Sequence, residues 1–169
     1  MFIKTGFGVV VTGTVISGSL SVGDVIDCLP VRKQCKVRSI QSHGENVQSV
    51  KMGDRAAINV VGIEKDEVGR GSELIETGRI KPTTIIIAHI QLIKGICWEL
   101  KSKQRVRIHL GTSEVLGRVT IAQKRIKSGE SGNVCIRLEN PLVTAMDDRF
   151  VMRSYSPMET IGGGVVLDT

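Results

Sequence analysis

The sequence lacks the features that define secreted, membrane-spanning and metal-finger proteins. No apolar run approaches the roughly 18 residues that a membrane span needs, and no signal peptide precedes Met1. The four cysteines form no CxxC pair, and the nearest two, Cys28 and Cys35, are seven residues apart. Reduced thiols are therefore expected, and a disulfide framework or a zinc site is not. We expect a cytoplasmic protein without a membrane partner.

The sequence also lacks the motifs of self-contained catalysis. It has no glycine-rich phosphate loop followed by Lys-Ser or Lys-Thr, and Asp66–Gly69 matches D-x-x-G only at the level of chance. The three histidines, His43, His89 and His109, lack metal-ligand spacing. No Ser/His/Asp or Cys/His constellation is readable either. The sequence therefore predicts that this chain is not an enzyme by itself and binds no metal or cofactor.

What the sequence does contain is enough apolar surface for a core and an uneven distribution of charge. Of its 169 residues, 41% are hydrophobic, which excludes a disordered chain. Residues 1–78 are neutral, with 9 basic and 9 acidic residues, whereas residues 79–169 carry 14 basic and 8 acidic residues. A local positive excess suits a polyanion such as RNA, although ordinary solubility charge would look the same.

Short runs rich in Val and Ile alternate with glycine-containing turns along the whole chain. In Thr83–Leu92, period-two alternation places Ile86, Ala88 and Ile90 on one face, and no long amphipathic helix is readable. This pattern predicts an all-β sandwich or barrel. Gly162–Gly164, in a strand context, indicates close backbone approach, as in barrel closure. The strand-like runs are Val9–Val15, Val25–Leu29, Ala56–Val61, Thr83–Leu92, Val106–Leu110, Val115–Ala122, Asn133–Leu138 and Phe150–Arg153.

Residues 76–82 are the best candidate for a linker. The segment is polar, contains Gly78 and Pro82, and coincides with the change in charge. We therefore expect two antiparallel β-barrels, residues 1–78 and residues 79–169. One continuous sandwich is the alternative that the pattern leaves open.

Several motifs occur in an order that resembles the second and third domains of translational GTPases. Within that superfamily, the C-terminal motifs are most similar to the selenocysteine-specific elongation factors. The barrels of another translational GTPase, such as an initiation factor, and a β interaction module without an RNA role remain the alternatives. The motifs are Phe2–Val15, Val22–Asp24, Gly53–Asn59, Gly62–Glu67 with Arg70-Gly71, Asp148–Pro157 and Thr160–Gly164.

The resemblance implies that this chain is the central scaffold of a larger protein in translation elongation. In the family, a GTPase domain binds GTP and Mg²⁺, and a C-terminal winged-helix region reads an mRNA hairpin. This sequence contains neither, so GTP binding is expected of the full-length protein. The implied partners are selenocysteyl-tRNA and the ribosome.

By the same resemblance, the first barrel holds the 3′-terminal adenosine of the tRNA and its esterified amino acid. Glycines would let the backbone approach the ribose, and Val10 would offer an apolar wall to the base. A selenol ionises near neutral pH and a serine hydroxyl does not, so Arg55 and His43 are the candidate selectivity cations. An ion pair of Arg55 with Asp54 or another neighbour is the alternative. The implied site residues are Gly6, Gly8, Val10, Gln41, His43, Arg55 and Asn59.

The second barrel contacts the acceptor and T stems of tRNA in this family. The basic excess after residue 79 fits that role, because phosphate contacts position a duplex without reading its sequence. Lys124, Arg125 and Lys127 form the densest basic cluster and are the residues expected to contact the tRNA backbone.

Overall fold

The computed structural model describes residues 8–169 and is built almost entirely from strands. These residues divide into two compact units between Arg79 and Ile80. One 3₁₀ turn, Lys65–Glu67, interrupts the strands. The predicted all-β class is confirmed. The strands are β1 Val9–Thr14, β2 Ser19–Ser21, β3 Val25–Leu29, β4 Lys33–Ser42, β5 Glu45–Val47, β6 Ser49–Lys51, β7 Arg55–Val61, β8 Glu73–Glu76, β9 Thr83–Leu92, β10 Arg105–Leu110, β11 Ser113–Ile121, β12 Ser131–Leu142, β13 Arg149–Ser154 and β14 Thr160–Asp168.

The first unit is organised around a sheet in the order β1-β7-β4-β3-β8. Strand β5 pairs with β4, and β2 pairs with β6 in a separate two-stranded sheet. Along β7, Ala56, Ile58 and Val60 are buried and alternate with more exposed residues, so one face of this strand packs into the core. The other face of β7 is open to a ligand.

The second unit is a closed barrel in the strand order β10-β11-β12-β9-β14-β13, with every neighbouring pair antiparallel. Strand β9 has the bounds that the sequence predicted, and its alternation is confirmed, since Ile86, Ala88 and Ile90 are fully buried. Each strand therefore presents alternate side chains to the core and to the outer wall.

The glycines of β14 permit this closure. A Cβ on Gly164 would lie 2.5 Å from the His89 carbonyl oxygen, and one on Gly163 would lie 2.8 Å from the Phe150 carbonyl oxygen. Both carbonyls belong to strands that pair with β14. The predicted close backbone approach is confirmed, and its cause is strand-to-strand packing.

Strand β4 was missed by the sequence reading. Its buried residues Cys35, Val37 and Ile40 are interleaved with cations, and the register shifts between Val37 and Ser39. The irregularity changes the spacing of buried residues from two to three, so the strand has no continuous period-two pattern.

Candidate functional site

Four residues of the predicted aminoacyl site share one face of three neighbouring strands. Val10 of β1 lies directly opposite Asn59 of β7, and Gln41 of β4 lies opposite Ala57. Directly opposite residues of an antiparallel pair project to the same face. Because Ala56, Ile58 and Val60 point into the core, Arg55 and Asn59 project outward with Val10 and Gln41. The fold thus gathers residues from three separated segments.

His43 lies in the turn that joins β4 to β5, at the Arg55 end of this face. It is exposed and has a φ of 52°, and Gly44 follows with a φ of 86°. The Ser42 hydroxyl donates a hydrogen bond of 3.1 Å to the Arg55 carbonyl. This bond ties the turn to the beginning of β7, so His43 is presented from an anchored turn.

The Arg55 guanidinium is exposed and forms no ion pair with any carboxylate of residues 8–169. The neighbouring Asp54 instead accepts a hydrogen bond of 2.9 Å from the Lys51 backbone N–H. The alternative that Arg55 pairs with Asp54 is therefore wrong. A charged donor remains available at this position.

Gly8 and Asn59 approach closely beside Val10. Gly8 has a φ of 91°, and a Cβ there would lie 2.7 Å from Asn59 Oδ1 and 2.6 Å from the Val60 carbonyl oxygen. Asn59 Oδ1 is buried and has no hydrogen-bond donor among residues 8–169. An acceptor of this kind is costly to leave unpaired. Gly6, the remaining predicted residue, lies outside the described residues.

The predicted basic cluster of the second unit lies in the loop between β11 and β12. Lys124, Arg125 and Lys127 are all exposed there. Arg125 forms an ion pair of 3.1 Å with Glu99, and Glu99 also forms an ion pair of 2.7 Å with Lys101 Nζ. The hydrogen bond from Lys101, with the charges of Lys101 and Arg125, lowers the pKa of Glu99. The positive charge of the cluster is therefore partly neutralised.

A second basic surface, which the sequence reading did not identify, lies on the outer wall of the barrel. Arg105 is directly opposite Arg118, and Arg118 is directly opposite Arg137. Two residues farther along β10, and on the same face, Arg107 is directly opposite Arg153 of β13. We call these five residues the arginine surface. The alternation of Arg105 and Arg107 with buried Val106 and Ile108 was the available sequence signal.

The arginine surface keeps an excess of positive charge after its internal pairing. The Glu139 carboxylate accepts a hydrogen bond of 2.7 Å from Arg105 Nε, and the Glu114 carboxylate accepts one of 2.5 Å from Arg107. Five guanidinium groups thus face two carboxylates, which leaves three positive charges. The Nε atoms of Arg107 and Arg153 are buried and have no acceptor among residues 8–169. Like charges directly opposite each other are unfavourable until an anion compensates them.

The described residues contain no cluster of metal-ligating side chains. Residues 8–169 contain no group of three or more His, Cys, Asp or Glu that could hold a metal ion. Cys28 and Cys35 are buried in the first unit, and burial, with the nearby Cys28, raises the pKa of Cys35 to about 11. No helix in the described part of the chain is long and apolar enough to cross a membrane.

Comparison with known proteins places both units in translation factors. Residues 8–82 match the sequence model of elongation factor Tu domain 2. Residues 84–169, just over half of the chain, match that of the selenocysteine-specific elongation factor β-barrel domain. The fold and these matches define a pair of translation-factor β-barrels. The chain belongs to the family of selenocysteine-specific elongation factor β-barrel domains, so the resemblance seen in the sequence is confirmed.

Individual relatives agree with this assignment over nearly the whole chain. The selenocysteine-specific elongation factors of Desulfomicrobium baculatum and Escherichia coli K12 are 31% and 30% identical and match 99% and 98% of this chain. The apo crystal structure of translation elongation factor SelB from Methanococcus maripaludis superposes with a TM-score of 0.83 at 26% identity and covers 99% of this chain. The chain spans 27%, 25% and 41% of these three relatives, respectively.

Proposed function

We propose that residues 1–78 and 79–169 are the second and third domains of a cytoplasmic factor that binds selenocysteyl-tRNA and delivers it to the ribosome. A GTPase domain outside this chain would bind GTP and Mg²⁺, and a C-terminal region would read the mRNA. The family membership supports the proposal. The observation that carries it is the arginine surface, with three uncompensated positive charges on one wall of the second barrel.

The first barrel would hold the aminoacyl end of the tRNA on the outer face of β1, β7 and β4. Val10 would pack against the terminal base, and the backbone at Gly6 and Gly8 would approach the ribose. Asn59, directly opposite Val10 on this face, would contact the ribose. Gln41 would add a polar contact, although its Nε2 also donates to Asn46 Oδ1 at 3.0 Å.

Selectivity for the selenocysteyl ester would come from the cations at the other end of this face. Arg55 and His43 would face a selenolate, which carries a full charge where a serine ester carries a neutral hydroxyl. A hydrogen bond to a charged group contributes about 1.5–3 kcal/mol. This corresponds to roughly ten- to a hundredfold in affinity per contact.

The second barrel would hold the acceptor and T stems through phosphate contacts. The arginine surface supplies the larger uncompensated charge, while Lys124, Arg125 and Lys127 would extend it along the β11–β12 loop. Phosphate contacts of this type position a duplex without specifying its sequence. The first barrel would therefore select the esterified amino acid, and the second would supply affinity for the phosphate backbone of the tRNA.

The test compares selenocysteyl-tRNA and seryl-tRNA on the same tRNA body, using a polypeptide in which the GTPase domain, with GTP bound, precedes this chain. We expect wild type to prefer the selenocysteyl form and Arg55→Ala to lose mainly that preference. Lys65→Ala, an exposed cation in the 3₁₀ turn of the same unit, is the control and should keep it. Equal binding of both tRNAs by wild type, or an unchanged preference in Arg55→Ala, would contradict the proposed pocket.

A further inference from the structure

The ring of Tyr155 lies against two guanidinium groups of the arginine surface. The Cζ atoms of Arg105 and Arg107 are 4.4 Å and 5.5 Å from its centroid. The two arginines are separated by one residue on β10, so their backbones are about 7 Å apart. The electron-rich ring thus attracts two cations that would otherwise repel each other.

The loop that carries Tyr155 is anchored beneath the ring. Ser154 is buried, and its backbone N–H donates to the Glu159 carbonyl at 2.9 Å. The Glu159 N–H donates in return to Ser154 Oγ at 3.0 Å. These bonds close the connection between β13 and β14 immediately after the strand that carries Arg153. The ring position is therefore set by the backbone of the barrel.

The two arginines are also restrained by carboxylates at their outer ends. Glu139 binds Arg105 through two hydrogen bonds, and Glu114 binds Arg107. The hydrogen bond to Glu139 is the main cause that raises the pKa of Arg105, and the charge of Tyr155 and a hydrogen bond with its side chain add to it. Each guanidinium thus contacts both a carboxylate and the ring of Tyr155.

We propose that Tyr155 is a positioning residue of the arginine surface, whose ring holds Arg105 and Arg107 in place to receive neighbouring phosphates of an RNA duplex. The inference rests on the proposed function of the second barrel. The ring acts through the arginines and contacts no phosphate itself. A duplex is the expected ligand because phosphate contacts position a duplex without reading its sequence, as proposed for the second barrel.

The experiment measures binding of a fluorescently labelled 12-base-pair RNA duplex to the 169-residue chain by anisotropy across a salt series. The variants are Tyr155→Phe, which keeps the ring, Tyr155→Leu, which removes it, and Tyr155→Gln, as a second ring-free form. Met146→Ala is the control, since Met146 is exposed and lies in the connection between β12 and β13 of the same unit. The thermal midpoint of each variant is measured alongside.

We expect Tyr155→Leu and Tyr155→Gln to bind about three- to tenfold more weakly, and Tyr155→Phe to stay within about twofold of wild type. The salt slope should not change, because the number of neutralised phosphates is the same. Wild-type affinity in the ring-free variants, or an equal loss in Tyr155→Phe, would overturn the positioning role alone. Salt-insensitive binding or no binding by wild type would overturn the proposed function, and this inference with it.

Discussion

Arg107 and Arg153 lie directly opposite each other on β10 and β13, although 46 positions separate them in the sequence, and each has a buried Nε without an acceptor among residues 8–169. Two like charges in this relationship destabilise the strand pair. The barrel tolerates them at the β13 side of the arginine surface.

Removing cations from the arginine surface should lower the salt dependence of RNA binding. The double variant Arg118→Ala/Arg137→Ala deletes two guanidinium groups that pair with no carboxylate of residues 8–169. We expect the slope of log K against log salt to fall by about one for each phosphate that is no longer neutralised. The measurement is anisotropy of a labelled tRNA between 50 and about 200 mM salt, the range over which phosphate-dependent affinity declines most steeply.

Arg149→Ala is the matched control for this prediction. Arg149 is an exposed arginine on the same strand as Arg153, four residues away and therefore about 13 Å distant. Its removal should change the slope much less. An equal fall of the slope in the control would assign the binding to net charge and not to the arginine surface.

Closure of the second barrel should fail when Gly164 acquires a side chain. In Gly164→Ala, the Cβ would lie 2.5 Å from a backbone carbonyl of β9, which cannot move without breaking the ladder. We expect a loss of at least about 1–3 kcal/mol in the free energy of unfolding, the range for overpacking a tight interior. Urea unfolding followed by circular dichroism measures it.

Gly69→Ala is the comparison variant for closure, because a Cβ on Gly69 would meet no atom within 4 Å in the described structure. It should leave the unfolding midpoint nearly unchanged. If both variants unfold at the wild-type urea concentration, β14 does not require glycine.

The exposed thiol of Cys97 should react with a disulfide reagent before the buried thiols of Cys28 and Cys35. Cys97 is exposed, whereas Cys28 and Cys35 are buried and have a pKa raised mainly by burial. Because the thiolate is the reactive form, we expect Cys97 to be labelled first at pH 8, and Cys28 and Cys35 only after unfolding. Mass spectrometry of labelled peptides gives the order, and Cys97→Ser should abolish the fast phase. Rapid native labelling of Cys35 would contradict the buried thiol pair.

Acid should destabilise the chain through three glutamates that pair with cations. Hydrogen bonds from Lys33, Lys101 and Arg105 are the main causes that lower the pKa values of Glu67, Glu99 and Glu139. A lowered pKa in the folded state contributes stability above the unfolded value, 4.5, and this is lost as the pH falls through the folded value. Thermal midpoints should therefore decline below about pH 4.5.

The triple variant Glu67→Gln/Glu99→Gln/Glu139→Gln tests this cause of acid sensitivity. It should be less stable than wild type at pH 6 and should lose less stability between pH 6 and 3. An acid response as steep as that of wild type would show that other carboxylates dominate.

The sequence was informative where one strand carries the whole signal. The alternation in β9 predicted that Ile86, Ala88 and Ile90 share one face, and in the structure this face is the buried one. Motif order predicted the residues of a candidate aminoacyl site, and the pairing of β7 with β1 and β4 places Arg55 and Asn59 on one face with Val10 and Gln41.

The arginine surface could not be predicted from the sequence, because strand pairing brings its residues together. The sequence predicted a basic cluster in the β11–β12 loop, because its cations lie close together along the chain. In the structure, the arginine of that loop, Arg125, is paired with Glu99. Arg107 and Arg153 become neighbours only when β10 pairs with β13, and the sequence does not specify the order of strands around a barrel. Pairing between distant segments therefore created the stronger basic surface.

The ring of six strands in the second unit has a consequence for self-association. Every strand from β9 to β14 has a hydrogen-bonded partner on both sides, so the ring has no edge strand. An edge strand is where a second polypeptide can add by backbone pairing and start an aggregate. The second barrel offers no such template, and contacts on its wall must be made by side chains.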